Sequence, residues 1–267
     1  MRVLVTGGAG YIGYGLYLTG TSPMSILMNT IDGGSAGHIN YGVYIDSGSS
    51  PTLERNVIKV SGQTANIAVY ILGPPSAPIL RNNLIDGGSA TYTMGVHVYA
   101  GASPKLYNNT IDGGDGANSA TALNLGPNSA EIVNNIIFTS AASGYCVEEA
   151  EENEYFSGTP ELLMNNDLFD CGTWLYGDWS WDGFISTPVN INSITTINAF
   201  SYASQNVSAD PMLIARDGDA EAGSWDLTSS SPDSVKFGGA DLTAEGFITD
   251  YDGAGRVGAW SMGAYEF

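Results

Sequence analysis

Basic residues are scarce in this chain. Its 267 residues include 8 Lys and Arg against 28 Asp and Glu, which gives a net charge of −20. Nucleic acids and anionic membranes are bound through basic patches, so this deficit argues against both as partners. A polyanionic polysaccharide such as pectate would need bridging cations to approach so acidic a surface.

Long apolar runs are missing as well. No segment reaches the length of about 20 apolar residues that a transmembrane helix requires. The first residues lack the apolar stretch of a signal peptide, because glycines interrupt them. We therefore expect a chain that begins inside a structural repeat, as a mature or trimmed piece of a longer precursor would.

Cysteine and histidine are rare. The two cysteines are Cys146 and Cys171, and the two histidines are His38 and His97. No cysteine pair has the CxxC spacing of a zinc site, which argues against zinc. The cysteines are separated by about one repeat, a spacing that allows a disulfide between neighbouring repeats in an exported protein.

A repeat of 26 to 27 residues fills the first half of the chain. Each copy places an asparagine two residues before an isoleucine, and these asparagines are Asn29, Asn56, Asn83, Asn109 and Asn135. A period of this length with short strand-like runs is typical of stacked supersecondary units.

Aligning the copies on the asparagine produces apolar columns. Upstream pairs such as Val43/Ile45 and Val96/Val98 alternate with other residues and predict short strands with one buried face. The spacing of three and four residues that a helix requires is missing. The columns therefore predict an all-β fold, a parallel β-helix, in which each coil buries its inward face against the next.

Two turn features recur with the repeat. A small amide stacked on its own kind can hydrogen-bond along the helix axis, so the asparagine column predicts an internal ladder. Asp32, Asp86 and Asp112 each precede two glycines. We interpret these triplets as turns, since glycine tolerates positive φ.

The N-terminal residues MRVLVTGGAGYIG resemble the nucleotide-binding start of the nucleotide-sugar epimerases. Gly7, Gly10 and Gly13 have that spacing, but the motif binds pyrophosphate only where a helix begins at the glycines. No helical pattern follows, and no Tyr-x-x-x-Lys pair is present. We interpret residues 1–13 as a first partial coil that binds no dinucleotide.

The period loosens after Phe138. An acidic insert, EEAEENE, occupies 148–154, and an aromatic segment, WLYGDWSWDGF, occupies 174–184. The stretch INSITTINAF predicts one short helix capped at Asn192 or Ser193. We expect coils over 1–171 and, over 172–267, an aromatic loop, this helix and an irregular segment that caps the same domain.

Several steps near the C-terminus belong to a recognisable pattern. They are Asp210-Pro211, Ser231-Pro232, Asp250-x-Asp252-Gly253-x-x-Arg256 and Gly263 to Glu266. With the repeats, they resemble secreted and surface-anchored bacterial right-handed β-helix proteins of the pectin-lyase-like superfold. The resemblance implies a right-handed parallel β-helix and an extracellular or cell-surface location. It implies little about activity, because one superfold hosts many functions.

Two sets of residues are candidates for glycan binding. The first is an outward stripe, Tyr17, Tyr44, Tyr70 and His97, which continues to Asn124. The second, in the aromatic segment, comprises Trp174, Tyr176, Asp178, Trp179, Trp181 and Asp182. Aromatic rings suit sugar rings, and carboxylates accept hydrogen bonds from sugar hydroxyls. Alternatively, the stripe only stabilises the sheet by cross-strand stacking, and the tryptophans pack the loop onto the coils as a lid.

Acidic turns offer oxygen ligands for a structural calcium ion. Asp217 and Asp219 form one cluster, and Asp250 and Asp252 form another. Neither completes a calcium-binding loop of the EF-hand type. The alternative is an ion pair of Arg256 with Asp250 or Asp252. No other cofactor is indicated.

The leading functional hypothesis is a non-catalytic extracellular or cell-surface scaffold or adhesion module with a glycan ligand. The alternative is a polysaccharide lyase or glycoside hydrolase. No catalytic pair can be singled out among 28 acidic residues, so catalytic residues stay unassigned. A third hypothesis is a purely structural unit that self-associates through an exposed coil end.

Overall fold

The computed structural model describes residues 11–20, 24–150, 158–181, 186–216 and 220–267. Strands and turns dominate these ranges. In chain order the strands are β1 (Ile12–Thr19), β2 (Ser25–Leu27), β3 (Thr30–Asp32), β4 (Ile39–Asp46), β5 (Thr52–Glu54), β6 (Val57–Lys59), β7 (Ala65–Leu72), β8 (Ile79–Arg81), β9 (Leu84–Asp86), β10 (Ser89–Tyr99), β11 (Lys105–Tyr107), β12 (Thr110–Asp112), β13 (Asp115–Leu125), β14 (Glu131–Val133), β15 (Ile136–Phe138), β16 (Gly144–Glu149), β17 (Leu162–Met164), β18 (Asp167–Leu168), β19 (Trp174–Trp181), β20 (Ser186–Ile191) and β21 (Ala203–Ser204). The helical elements are α1 (Ile194–Ile197), α2 (Asp233–Lys236) and one 3-10 turn (Thr243–Glu245).

Three sheets run along the molecule. The long sheet has the order β1-β4-β7-β10-β13-β16-β19-β20, the second sheet β2-β5-β8-β11-β14-β17-β21, and the third sheet β18-β15-β12-β9-β6-β3. Neighbouring strands are parallel except β19 and β20, which form an antiparallel hairpin. Each coil contributes one strand to each sheet, giving about 6 turns. The predicted parallel β-helix is confirmed.

The core consists of the predicted apolar columns. In the third sheet, Ile58, Ile85 and Ile111 occupy equivalent positions on paired strands and have no exposed surface. The long sheet contributes Val43, Val69, Val96 and Leu123 in the same way. Because one coil buries its inward face only against the next, the repeat in the sequence and the continuous core have the same physical origin.

The asparagine column forms the predicted ladder. The side-chain Oδ1 of Asn83 accepts from the backbone N–H and the Nδ2 of Asn56, each at 3.0 Å. The same pair of bonds links each asparagine to the next in the series Asn29, Asn56, Asn83, Asn109, Asn135, Asn166 and Asn206. These side chains are buried, so the ladder satisfies amides that water cannot reach.

The Asp-Gly-Gly triplets are turns, as predicted. The carboxylate of Asp32 accepts from the N–H of Gly34 at 2.8 Å, and Asp86 and Asp112 repeat the contact with the second glycine after them. Gly34 has φ of 73°, which glycine adopts without strain. Asp86 is nevertheless buried, with 5 % of its surface exposed, so this turn carboxylate is not a solvent-facing group.

The C-terminal end of the coils is closed by α1. Ser193 caps this helix, since its Oγ accepts from the N–H of Thr196 at 3.3 Å, which confirms the predicted cap. Asn198 then accepts from the N–H and the Nδ2 of Asn206. The asparagine ladder therefore ends on a helix C-terminus, and Ile197 is fully buried beneath it.

The described residues after Val207 pack on the third sheet of the solenoid, and a capping role for this segment stays a prediction. They run back along the side of the solenoid, and we call them the strap. Trp225, Met262 and Tyr265 of the strap pack on Ile136 and Phe138 of the third sheet. The strap also hydrogen-bonds to coils near the N-terminus. There, the Nε of Arg55 donates to the carbonyl of Tyr251 in the strap.

A second column of asparagines holds the strap. Asn82, Asn108, Asn134 and Asn165 precede the ladder residues and adopt positive φ values between 51° and 61°. This conformation turns their side chains outward, and asparagine tolerates it better than most residues do. Their Nδ2 groups donate to strap carbonyls, for example Asn82 to Thr249 at 2.6 Å and Asn165 to Gly238 at 2.7 Å.

Residues 1–10 lie outside the described ranges, so the predicted first partial coil is seen only from Tyr11 onward. There, Ile12 begins strand β1, which pairs in parallel with β4. A strand rather than a helix therefore follows the glycine motif, as the sequence pattern predicts. None of the helices in the described part of the chain has the length and apolar character needed to cross a bilayer.

Candidate functional site

The outer face of the long sheet carries the predicted stripe. Strand pairing places Tyr17, Tyr44, Tyr70, His97, Asn124, Glu148 and Gly177 in one column across seven coils. A parallel column holds Tyr14, Tyr41, Ile67, Met94, Thr121, Tyr145 and Trp174. We call these two columns the outer face. The stripe and the aromatic segment, treated as separate candidates in the sequence, therefore lie on one sheet.

The aromatic rings of the outer face contact one another. The ring centroids of Tyr17 and Tyr44 are 5.1 Å apart with planes inclined by 17°, and Tyr44 and Tyr70 are 5.0 Å apart. His97 continues the column edge-on to Tyr70 at 4.9 Å. Because Tyr17 and Tyr44 stack face to face and the following rings lean on their neighbours, each ring face is partly covered.

The neighbouring column adds tyrosines that the sequence analysis did not single out. Tyr14 and Tyr41 stack at 5.3 Å, and each contacts Tyr44 edge-on. Tyr17 is 47 % exposed, and its hydroxyl donates to Asp46 at 2.8 Å. This hydrogen bond raises the pKa of Tyr17 to about 12, because the protonated hydroxyl is the form that donates to Asp46.

The last side chain of the column, before Gly177, is the carboxyl group of Glu148. The Glu148 Oε2 accepts from Asn124 Nδ2 at 2.9 Å and from Thr121 Oγ1 at 3.1 Å. Burial raises the pKa of Glu148, and the hydrogen bonds from Thr121 and Asn124 oppose that shift. A carboxyl held by neutral donors at the end of an aromatic track can accept from a ligand hydroxyl or, when protonated, donate to one.

Gly177 leaves room for this arrangement. A side chain there would begin 2.9 Å from the ring of Tyr145 and 3.7 Å from the Cγ of Glu148. The Tyr145 hydroxyl donates to Asn190 Oδ1 at 3.1 Å, which ties the outer face to β20. The hairpin therefore forms one end of the site.

His97 is neutral in this environment. Burial lowers its pKa to about 4, and its Nδ1 is buried without a hydrogen-bond partner. The histidine therefore contributes a polarisable ring to the column rather than a charge.

The aromatic segment requires two corrections. It is not a loop, because Trp174–Trp181 forms strand β19 of the long sheet. Tyr176 points inward from this strand and is fully buried, so it cannot contact a glycan. Tyr176 pairs with Val147 in a core column. Aligning the repeat columns across the acidic insert would have revealed this pairing from the sequence.

The other residues of the aromatic segment differ in how far the structure describes them. Trp174, Asp178 and Trp179 are partly buried, with Trp174 on the outer face. Asp182 lies outside the described residues. Trp181 ends β19, and the position of its side chain is not described. A glycan role for these residues remains a prediction.

A family model described as a right-handed β-helix region matches residues 14–182, which is more than half of the chain. The chain belongs to the right-handed β-helix family. Comparison with curated proteins and with solved structures gave no match. The family assignment agrees with the three parallel sheets and states nothing about what this β-helix binds.

The two cysteines of this β-helix form a disulfide. Cys146 on β16 and Cys171 after β18 have Cα atoms 5.0 Å apart, and both side chains are buried in the core. The bond joins the long sheet to the end of the third sheet. It thereby fixes the coil that carries Glu148.

The calcium hypothesis stays untested. Asp217 and Asp219 lie outside the described residues. Asp250 is buried, and its carboxylate accepts from the N–H groups of Ala254 at 2.7 Å and Glu266 at 3.0 Å, whereas Asp252 is exposed. Within the described part of the chain, no three acidic, histidine or cysteine side chains group as metal ligands.

Arg256 pairs with neither of the aspartates that we had considered. Its guanidinium is buried and donates to Glu266 at 2.7 Å and to Asn82 Oδ1 at 3.0 Å. It also donates to carbonyls of the last residues, including Gly263 at 3.0 Å. Arg256 therefore fastens the strap to the coils, a structural role.

An acidic cleft lies on another side of the β-helix, where the third sheet turns into the long sheet. Its volume is about 680 Å³, and Asp86, Asp112, Asp115, Asp170 and Arg216 line it. Burial and the nearby Asp86 raise the pKa of Asp112 to about 7. The carboxylates of Asp86 and Asp112 already accept from backbone amides of their own turns, so the outer face is the better candidate site.

Proposed function

We propose that this β-helix is a non-catalytic binding module for a neutral polysaccharide, which lies along the outer face of the long sheet. The supporting observation is the continuity of that face. Aromatic rings repeat from Tyr17 to His97 and lead to the hydrogen-bonded Glu148. A repeating surface suits a repeating ligand, because each coil can offer the same contacts to successive sugar units.

The charge of the chain selects among polysaccharides. A net charge of −20 repels a polyanion at long range. The outer face offers uncharged donors and acceptors, namely the tyrosine hydroxyls, and sugars are recognised through such groups. We therefore expect neutral chains to bind and acidic chains to bind weakly.

An extracellular or cell-surface location belongs to this proposal. The disulfide between Cys146 and Cys171 supports it, because such bonds persist in oxidising compartments.

The experiment is affinity electrophoresis through gels that contain galactomannan, xyloglucan or mixed-linkage β-glucan, with pectate as the acidic comparison. Retardation by a neutral polysaccharide and its absence in pectate would support the proposal. Tyr44→Ala and Tyr70→Ala each remove a ring from the column, and we expect them to weaken retardation. Phe237→Ala is the matched control, because it removes an exposed ring from the strap. Equal retardation of all variants would place binding elsewhere.

We further predict that the aromatic segment contributes more to glycan binding than the repeated coils do. Trp179→Ala removes a large ring beside Glu148, and Trp181→Ala tests the end of β19. Weaker binding with an unchanged melting curve supports recognition, since surface-contact residues contribute little to folding. A strongly lowered melting temperature would instead show that these tryptophans pack the hairpin onto the coils.

A second candidate function is hydrolysis or elimination of the same polysaccharide. Burial raises the pKa of Glu148 on the outer face, which favours its protonated form, and a protonated carboxyl is the general acid that glycoside hydrolysis requires. Release of reducing ends or of unsaturated products from the polysaccharides above would favour this candidate. Its loss in Glu148→Gln, with binding retained, would assign the acid.

A further inference from the structure

A carboxyl group interrupts the core at the C-terminal end of the β-helix. Glu149 on β16 pairs with Leu125, in the column that also holds Ile45, Ile71 and Val98. Only 1 % of Glu149 is exposed. An acidic residue in a column of aliphatic side chains is costly unless it is neutral or well bonded, so its retention there calls for a physical account.

Glu149 has three polar partners in the described part of the chain. The hydroxyl of Tyr176 donates to its Oε1, and the Tyr202 hydroxyl lies at 3.4 Å from the same atom. Thr159 Oγ1 donates to Oε2 at 3.3 Å. The two tyrosine hydroxyls are also 3.2 Å apart. These partners come from β19, from the turn before β21 and from the segment before β17.

A second carboxyl completes the cluster. Asp178 on β19 lies beside Glu149, because the residues that precede them, Gly177 and Glu148, are paired across the two strands. The charge of Asp178 acts on the Glu149 carboxyl. Tyr176, Asp178 and Tyr202 are the titratable groups that face Glu149 in the described ranges. No lysine, arginine or histidine of those ranges forms an ion pair with either carboxyl. Among the described residues, a full negative charge on both carboxyls therefore has no counter-ion.

We propose that Glu149 and Asp178 form a proton-sharing latch, which holds the β19–β20 hairpin on the long sheet in acid and loosens it as the pH rises. Below neutrality the shared proton bonds β16 to β19. When the proton is lost, two carboxylates face each other inside the end of the core. Because β19 pairs with β16 through Tyr145, Val147 and Glu148, their repulsion acts on the pairing that joins the hairpin to the sheet.

The direction of the effect follows from the chemistry of Glu149. Burial raises its pKa to about 7, and the Asp178 charge adds to that shift. An opened hairpin exposes Glu149 to water, where its ordinary value of 4.5 applies. The closed form therefore keeps a proton that the open form loses, and closure weakens as the pH rises from about 4.5 to about 7.

The latch concerns folding of the hairpin and needs no ligand. Its consequence for binding rests on the proposed function, since the same strand carries Trp179 and Gly177 next to Glu148.

Amide hydrogen exchange of residues 174–181 and 186–191, measured by mass spectrometry from pH 5 to pH 7.5, tests the latch without any polysaccharide. After correction for intrinsic exchange, we expect protection to fall by up to about tenfold per pH unit, the limit for one linked proton.

Three variants decide the outcome. Glu149→Gln keeps the shape of the side chain and removes its titration, so protection of the hairpin becomes nearly independent of pH. Asp178→Asn keeps Glu149 but removes the facing charge, so the slope becomes smaller. Asp112→Asn is the control, because it removes a buried carboxyl of the distant cleft and leaves the slope of the hairpin unchanged.

Two results would overturn the latch. One is a wild-type hairpin whose corrected protection does not change with pH. The other is a wild-type slope that persists in both Glu149→Gln and Asp178→Asn. If circular dichroism shows that Glu149→Gln does not fold, Asp178→Asn against Asp112→Asn decides alone.

Discussion

The asparagine ladder offers the sharpest test of how the coils are held together. Asn83 lies in the middle of the ladder and has no exposed surface. Its Nδ2 donates to the carbonyl of Leu53 at 2.9 Å and to Asn109 Oδ1 at 2.9 Å. Its Oδ1 accepts from the backbone N–H of Asn56 at 3.0 Å. One side chain therefore connects three consecutive coils.

Replacing Asn83 by Ala leaves buried groups of its neighbours without these bonds. The N–H of Asn56 loses its acceptor, and the carbonyl of Leu53 loses a donor. Each unsatisfied buried group costs about 1–3 kcal/mol, so we expect Asn83→Ala to lower the free energy of unfolding by roughly 2–6 kcal/mol. Such a loss is a large part of the total of about 5–15 kcal/mol that is typical of domains.

Urea unfolding followed by circular dichroism measures this loss. The matched control is Asn118→Ala, because Asn118 is exposed and its side chain donates only to the Tyr92 hydroxyl at 3.2 Å. We expect the control to change stability by less than about 0.5 kcal/mol. If the two variants unfold at the same urea concentration with equal slopes, the ladder is a geometric regularity that contributes little, and the reasoning fails.

Three further predictions concern other parts of the molecule. Ile85→Asp places an unpaired carboxylate in a fully buried column and should cost more than about 4 kcal/mol. Asp86→Ser removes one hydrogen bond within its turn and one from the strap, and it should cost about 1–3 kcal/mol. Equal urea midpoints for the two variants would contradict our column assignment. Reduction of the Cys146–Cys171 bond, which closes a loop of 25 residues, should destabilise by about 3 kcal/mol, whereas two free thiols in alkylated protein from its native compartment would show that the bond does not form. Burial raises the pKa of Asp167 to about 8, so the folded protein keeps a proton that the unfolded chain loses. Stability therefore falls as the pH rises from about 4 to about 8. The difference between the melting temperatures at pH 5 and pH 8.5 should be smaller in Asp167→Asn than in the wild type.

The coils are predictable from the sequence because each of them must bury apolar residues at the same positions, so these residues recur with the period of the chain. Each isoleucine after the ladder asparagine meets its counterpart one coil away, so Ile58 and Ile85 reveal their contact by their spacing. The turn at Asp86 is predictable for the same reason, but its burial is not. Its carboxylate also accepts from Ala220 in the strap at 3.1 Å, and no period connects those two positions.

The candidate site is less predictable, since it depends on register after the period changes. Glu148 and Glu149 belong to an acidic run that reads as a solvated insert. Pairing with Asn124 and Leu125 places Glu148 on the outer face and Glu149 in the core. Tyr176 reads as part of an aromatic loop, although its strand turns the ring inward. The available signal was the register with the preceding coil, which pairs Tyr176 with the core residue Val147.

The strap changes how this solenoid should respond to stress. In an ordinary repeat protein each unit contacts only its neighbours, and unfolding can proceed from an end, one unit at a time. Here Asn82, Asn108, Asn134 and Asn165 are all bonded to the same returning segment. A coil cannot unfold until its hydrogen bond to the strap breaks. The strap in turn loses its packing surface once several coils have unfolded. The molecule should therefore lose its structure in one cooperative transition, with early and late coils disappearing together.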